Sequence, residues 1–210
     1  MSTLILTGPT WYAADGTTQR GDVLVRDGVV AEVGTVDAPT DAERVDADGL
    51  TLLPGFVDLH THLREPGRED TETIASGSRA AAVGGYTAVL AMANTNPVTD
   101  TAEAAERILD LGRAAGLVDV VPVGAVTKGL DGAELAELGL MNRSRAAVKV
   151  FSDDGHCVAD GRVMRRALEY VRAFGGVVSQ HSQDPNLAGP QACVRENNDD
   201  CRVPVLAFGE

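Results

Sequence analysis

Residues 54–67 read PGFVDLHTHLREPG, and where the polar residues fall in this stretch decides the fold. Pro54 and Gly55 close the preceding segment. GFVDLH (55–60) then reads as a short apolar strand with His60 at its C-terminal end. Downstream, the same rhythm of apolar strand, polar loop and helix repeats. Further strands are expected at YTAVLAM (86–92), DVVPVGAV (119–126), AAVKVFS (146–152) and GGVVSQH (175–181). Helices are expected over 73–84, 101–116 and 160–175, the second with a Thr101 cap, Glu103 in its first turn and a closing Gly116.

Alternating strands and helices imply parallel βαβ units, arranged either as a (β/α)8 barrel or as an open doubly wound sheet. His60, Asn94, the Asp153-Asp154 pair and His181 all sit at or just past the C-terminal ends of separate expected strands. A barrel gathers all those ends on one face, where its active site forms, whereas an open sheet concentrates its site at one switch point. The expected architecture is therefore the first part, about five strands, of a TIM-type (β/α)8 barrel over residues 54–187. Residues 1–53 carry short β-branched runs and the turn signals Asp15-Gly16 and Asp27-Gly28, which predict a small β domain, a portion of a β-sandwich.

The chain of 210 residues has a formal net charge of −13, with 44% hydrophobic and 23% charged residues. That composition builds a core, and the acidic balance argues against nucleic acid as a partner. No stretch approaches the ~18 apolar residues of a membrane span. The N-terminus MSTLILTGPT lacks a basic, then apolar leader pattern, so a cytoplasmic location is expected. Cys157, Cys193 and Cys201 lack metal-type spacing, which fits reduced thiols.

Side chains at i and i+2 of a strand share a face, so His60 and His62 point the same way and could hold one divalent metal ion. Only four histidines occur in the chain, and this pair uses two of them.

The stretch PGFVDLHTHLREPG resembles the metal-binding signature of the amidohydrolase superfamily, and of the dihydroorotases within it. The likeness continues through MANTNPVTD (92–100), VFSDDG (150–155) and SQHSQDPNL (179–187). It implies a zinc-dependent hydrolase that opens the cyclic amide of dihydroorotate, or closes N-carbamoyl-L-aspartate in pyrimidine biosynthesis. By the resemblance, His60 and His62 bind the first zinc, Asp154 bridges to a second, and His181 binds the second. Asp153 and Lys149 are the alternative bridging ligands, Lys149 because related subclasses bridge through a carboxylated lysine. Arg64 and Asn94 would hold the substrate carboxylate. Glu65-Pro66-Gly67 would shape the loop presenting Arg64, with no catalytic role for Glu65, and His156 is a loop residue near the site mouth with no role assigned. The general acid/base aspartate of the family lies on the last barrel strand, beyond residue 210.

Dihydropyrimidinases or hydantoinases share the superfamily, but their substrates lack the carboxylate that Arg64 would grip. Allantoinases place Asn where this chain has Arg64. A non-catalytic partner of aspartate transcarbamoylase is a further alternative, against which the retention of His60, His62 and His181 argues; a homodimer is the other association considered. The stretch from Pro54 is shorter than the ~200 residues a complete barrel rarely undercuts. Residues 188–210 lose the family likeness, which suggests a displaced reading frame or truncated gene, and hence an inactive chain with exposed apolar sheet edges.

Overall fold

The computed structural model describes residues 2–183, and it divides into two compact units, one ending at Gly55 and the other beginning at Phe56. Cys193, Cys201 and the expected tail at 188–210 lie outside the described residues.

In the first unit, β1 (Thr3–Thr7), β4 (Asp22–Arg26), β5 (Val29–Gly34) and β6 (Glu43–Asp46) form one sheet in the order β5-β4-β1-β6. β6 runs parallel to β1, and the other neighbours are antiparallel. Asp27-Gly28 joins β4 to β5 with φ of 49° and 80°, the two positive values that a tight hairpin turn of matching twist requires. β2 (Thr10–Tyr12) and β3 (Thr18–Arg20) form a separate hairpin around Asp15-Gly16, where Asp15 Oδ1 accepts from Thr17 N at 2.9 Å. Ile5 and Leu24 are buried at the centre of the four-stranded sheet. The apolar run LTLLPG (50–55) contributes one bridge, Thr51 with Thr10. Pro54 offers no N–H with which to extend it.

In the second unit, β7 (Phe56–Thr61), β8 (Tyr86–Ala91) and β9 (Asp119–Pro122) are parallel neighbours in that order. β10 (Val150–Phe151) and β11 (Val177–Val178) are also parallel. A parallel bridge between Gly124 and Phe151 joins the chain leaving β9 to β10, with Ser152 N donating to Gly124 O at 2.8 Å. Five parallel strands thus follow one another in chain order without reversal. A doubly wound sheet reverses its order, so this winding is the barrel type.

β9 ends at Pro122, and the chain stays paired just beyond it, Val123 N donating to Ala91 O at 2.9 Å and Gly124 N to Val150 O at 3.1 Å. β10 is shorter than expected because Ala147, at φ 47°, breaks the extended run, and Val148 N donates to Met141 O instead. Apolar residues in β7 stay open to solvent, Val57 at 53% and Leu59 at 68%.

The helices form where caps and apolar spacing agree. α1 (Ile74–Val83) starts with a reciprocal cap, Thr73 Oγ1 accepting from Ser76 N and Ser76 Oγ from Thr73 N. α2 (Ala102–Ala115) starts at Thr101, whose hydroxyl accepts from Ala104 N at 3.2 Å, and ends at Gly116 in the left-handed region. α3 (Leu138–Arg143), absent from the expectations, is six residues long, too short for its periodicity to stand out. α4 (Gly161–Arg172) is capped by Asp160, which accepts from Arg162 N at 2.7 Å. A helical turn at Lys128–Leu130 was likewise not expected.

Gly112 lets α2 approach β9 closely, since a Cβ there would stand 2.5 Å from Val120 Cβ. Phe151, fully buried among Met141, Leu138 and Val171, is worth roughly 2–3 kcal/mol of apolar burial. It anchors the strand end that carries Asp153 and Asp154.

Candidate metal centre

β7 brings its alternate side chains to one face, and His60 and His62 emerge there with Nε2 atoms 3.2 Å apart. Their rings meet edge to face, centroids 5.1 Å apart. Asp154, in the turn after β10, lies between them and the end of β11. Its Oδ1 stands 3.3 Å from His60 Nε2 and its Oδ2 stands 3.3 Å from His62 Nε2. His181, three residues past β11, points Nδ1 at the same carboxylate, 3.5 Å from Oδ1. Its Nε2 lies 3.0 Å from Gln183 Oε1. Gly155, at φ 85°, turns the chain immediately after Asp154, and His156 N closes that turn on Asp153 O at 2.8 Å.

Asp153 faces the other way. It is 1% exposed, and its Oδ1 accepts from Val126 N at 2.7 Å and Thr127 N at 3.0 Å while Thr127 Oγ1 donates to Oδ2. A carboxylate holding three donors at a strand end is spent on fixing that backbone. Lys149 also turns away, its ammonium donating to Phe174 O and lying 5.7 Å from the Phe174 ring centroid. His156 is exposed beside the site.

Asn94, past the end of β8, reaches both His62 and Asp154. Its Oδ1 is 3.0 Å from His62 Nδ1, and its Nδ2 is 3.3 Å from Asp154 Oδ2. Arg64 occupies the loop after β7 at φ 60°, half-buried, and no hydrogen bond or ion pair engages its guanidinium among the described residues. The loop is held from both sides. Glu65 Oε2 accepts from Ile74 N at 2.8 Å, capping α1, and Arg68 N donates to Arg64 O. Gly67 sits at φ 103°, where a Cβ would come 2.5 Å from Asn96 O, so only glycine fits. The structure brings the expected ligand candidates His60, His62, Asp154 and His181 together, whereas the contacts of Val126 and Thr127 with Asp153 lie outside the expectations, because no spacing announces them.

The donor set fits a divalent metal ion. Two imidazole nitrogens 3.2 Å apart repel if both present lone pairs, unless a proton or cation lies between them, and the facing carboxylate supplies negative charge. The donor atoms of His60, His62 and Asp154 lie within 4.8 Å of one another. Nitrogen and carboxylate donors together suit a divalent transition-metal ion.

A sequentially wound parallel barrel with histidines and a carboxylate converging at its strand ends defines the metallohydrolase barrels. Solved structures agree on the fold. L-hydantoinase (dihydropyrimidinase) from Arthrobacter aurescens matches 85% of this chain and 40% of its own, with TM-score 0.67 and 24% identity. Dihydropyrimidinase from Brevibacillus agri matches 88% and 41%, with TM-score 0.70 and 24% identity. The family model described as dihydro-orotase-like matches residues 49–200, and the chain belongs to that family of cyclic amidohydrolases. Among curated relatives, the dihydroorotase of Streptomyces coelicolor is 63% identical over 79% of this chain and 39% of its own length. That of Leifsonia xyli is 57% identical over 90% and 42%. The chain thus spans about two fifths of the length of the curated relatives it matches.

Proposed function

We propose that this chain supplies the His-His-Asp part of a dihydroorotase site, acting on the cyclic amide of dihydroorotate or, in reverse, on N-carbamoyl-L-aspartate. The observation that carries the reading is the convergence of His60, His62 and Asp154, with His62 two positions in the chain before Arg64, whose guanidinium has no protein partner among the described residues. The names of relatives 48–63% identical support the substrate.

His60 and His62 would hold a zinc ion, with Asp154 reaching toward a second that His181 would share. Bound there, the metal would supply activation of water and polarisation of the ring carbonyl. In ring opening the carbonyl–nitrogen bond breaks, the water oxygen joins the carbonyl carbon, and the ring nitrogen gains the proton. Arg64 would bind the carboxylate that distinguishes dihydroorotate from dihydrouracil, through two parallel charge-assisted hydrogen bonds. The engagement of Lys149 with Phe174 O supports an aspartate rather than a carboxylated lysine as the bridge. No described helix is long and apolar enough to cross a membrane, and we place the protein in the cytoplasm.

Calorimetric titration of the zinc-loaded chain tests the reading. Dihydroorotate should bind in preference to dihydrouracil and allantoin, only when metal is present, and about 10–100-fold more weakly after Arg64→Met. Equal or stronger binding of the uncharged rings would overturn it.

A further inference from the structure

The resemblance assigns Asn94 to substrate, yet its amide is already committed at both ends to protein groups. Oδ1 faces His62 Nδ1 at 3.0 Å, while Nδ2 faces two acceptors of one residue, Asp154 Oδ2 at 3.3 Å and Asp154 O at 3.5 Å. These two acceptors settle which way the amide points. Turned over, Asn94 would set its oxygen against a carboxylate oxygen and a carbonyl oxygen at once, and Asp154 O would lose its donor. With Nδ2 fixed toward Asp154, Oδ1 is fixed toward His62, and an amide oxygen can only accept. The proton between them therefore belongs to His62 Nδ1.

We propose that Asn94 is a positioning residue: it holds His62 as the Nδ1–H tautomer, so that the Nε2 lone pair faces His60 and Asp154, and it braces Asp154 in the same stroke. An imidazole in solution exchanges between its two tautomers, and only the one with Nε2 bare can ligate through Nε2. Metal-holding histidines characteristically donate their other N–H to an oxygen of the protein, which fixes both tautomer and ring orientation. Asn94 reads two ligands from two different strands with one planar group. It couples the end of β7 to the turn after β10, and the distances between His62 and Asp154 follow from its length. Nδ2 carries a second hydrogen, so positioning leaves one donor over.

This inference rests on the metal-centre reading, but its first readout does not need metal. In the metal-free chain labelled with ¹⁵N-histidine, at a pH well above the usual imidazole range, long-range proton–nitrogen spectra report which ring nitrogen of His62 carries hydrogen. His62→Gln identifies the resonance. The native chain should show Nδ1 protonated and Nε2 bare. Asn94→Leu, of similar size but without polar atoms, should shift His62 toward the Nε2–H form, and Asn94→Asp, which keeps the acceptor, should restore Nδ1–H. Cobalt(II) uptake, followed by its visible spectrum, should weaken about 10–100-fold in Asn94→Leu.

A native His62 found as Nε2–H, or a tautomer unchanged in a folded Asn94→Leu chain, would overturn the proposal. If Asn94→Leu does not fold, the native tautomer and the Asn94→Asp chain still decide it. A native chain with Nδ1–H at His62 that takes up no cobalt upholds the Asn94–His62 pairing and overturns the metal-centre reading instead.

Discussion

Asp153 and Asp154 are adjacent in the chain, yet their carboxylates face opposite ways: Asp153 accepts from Val126 N, Thr127 N and the Thr127 hydroxyl, whereas Asp154 lies 3.3 Å from both His60 and His62. The first is a buried fastening between the segment after β9 and the end of β10, and the second is a donor to the site. Substitution should separate the two. Asp153→Ala strands two buried N–H groups and a hydroxyl, and should cost about 3 kcal/mol or more of stability. Asp154→Ala should lower metal-free stability by about 1 kcal/mol or less while removing metal uptake. Urea unfolding beside metal analysis of both variants checks this; the reverse pattern would exchange the two roles.

Lys149 should be dispensable for metal. Its ammonium donates to Phe174 O and lies 5.7 Å from that ring's centroid, directed away from Asp154. Lys149→Met is expected to keep the metal stoichiometry of the parent, with or without added bicarbonate, and to lose about 1 kcal/mol of stability from the hydrogen bond and the cation–ring contact. Bicarbonate-dependent metal uptake in the parent, lost in the variant, would show a carboxylated lysine at work.

The cluster of candidate ligands was legible because strand alternation puts His60 and His62 on one face, and because turn chemistry marks Asp153-Asp154-Gly155 as a strand end. The choice of Asp154 over Asp153 came from the family resemblance and not from the local pattern. It depends on which carboxylate meets the N–H groups of Val126 and Thr127, some 26 residues away, and no local pattern encodes that meeting. The winding of the sheet was readable from polar residues at successive strand ends. Strand lengths were not: apolar residues at 146–148 suggested a longer β10, but Ala147 takes a positive φ and Val148 bonds back to α3. Of the two residues expected to hold substrate, Arg64 has a guanidinium with no partner among the described residues, whereas Asn94 is drawn to His62 through a contact 32 residues distant in sequence.

Gly112 sits inside α2 where helix propensity favours alanine by up to about 1 kcal/mol. The close approach to Val120 decides the opposite sign. A Cβ at 2.5 Å from Val120 Cβ must push helix and strand apart, an overpacking cost of about 1–3 kcal/mol. Gly112→Ala should therefore lower the unfolding midpoint, and Gly112→Ala with Val120→Ala should recover part of the loss. A stabilised single variant would refute the tight packing of α2 on β9.

Arg145 binds Asp110 through two hydrogen bonds of 3.0 Å and reaches Glu106 at 3.2 Å, tying α2 to the segment before β10. The Arg145 hydrogen bond is the main cause that holds the Asp110 carboxyl below its ordinary value. A folded-state value depressed in this way adds stability above the ordinary carboxylate range and loses it as pH falls through the depressed value. Between neutrality and about pH 4 the contribution should stay level. Arg145→Met should be less stable than the parent there, with the difference shrinking on further acidification and in high salt, because both partners are about half exposed. Urea midpoints across that range provide the check, and a difference that grows toward acid would contradict the pairing.

Metal binding should stabilise the chain in proportion to its occupancy. With free zinc at about 100 times its dissociation constant, the folded state gains about 2.7 kcal/mol, which for a chain of this size raises the thermal midpoint by roughly 5–10 °C. Chelation should reverse the shift completely. His60→Ala and His62→Ala should abolish it while leaving the metal-free midpoint near that of the parent, because His60 is exposed and His62 only half-buried. His181→Ala should only reduce it, since His181 meets the cluster through Asp154 Oδ1 at 3.5 Å and lies outside the His60–His62–Asp154 donor group. Calorimetry on the four proteins distinguishes a specific centre from scattered binding to the acidic surface. A shift that survives in His60→Ala and His62→Ala would place the stabilising ion elsewhere on a chain of net charge −13.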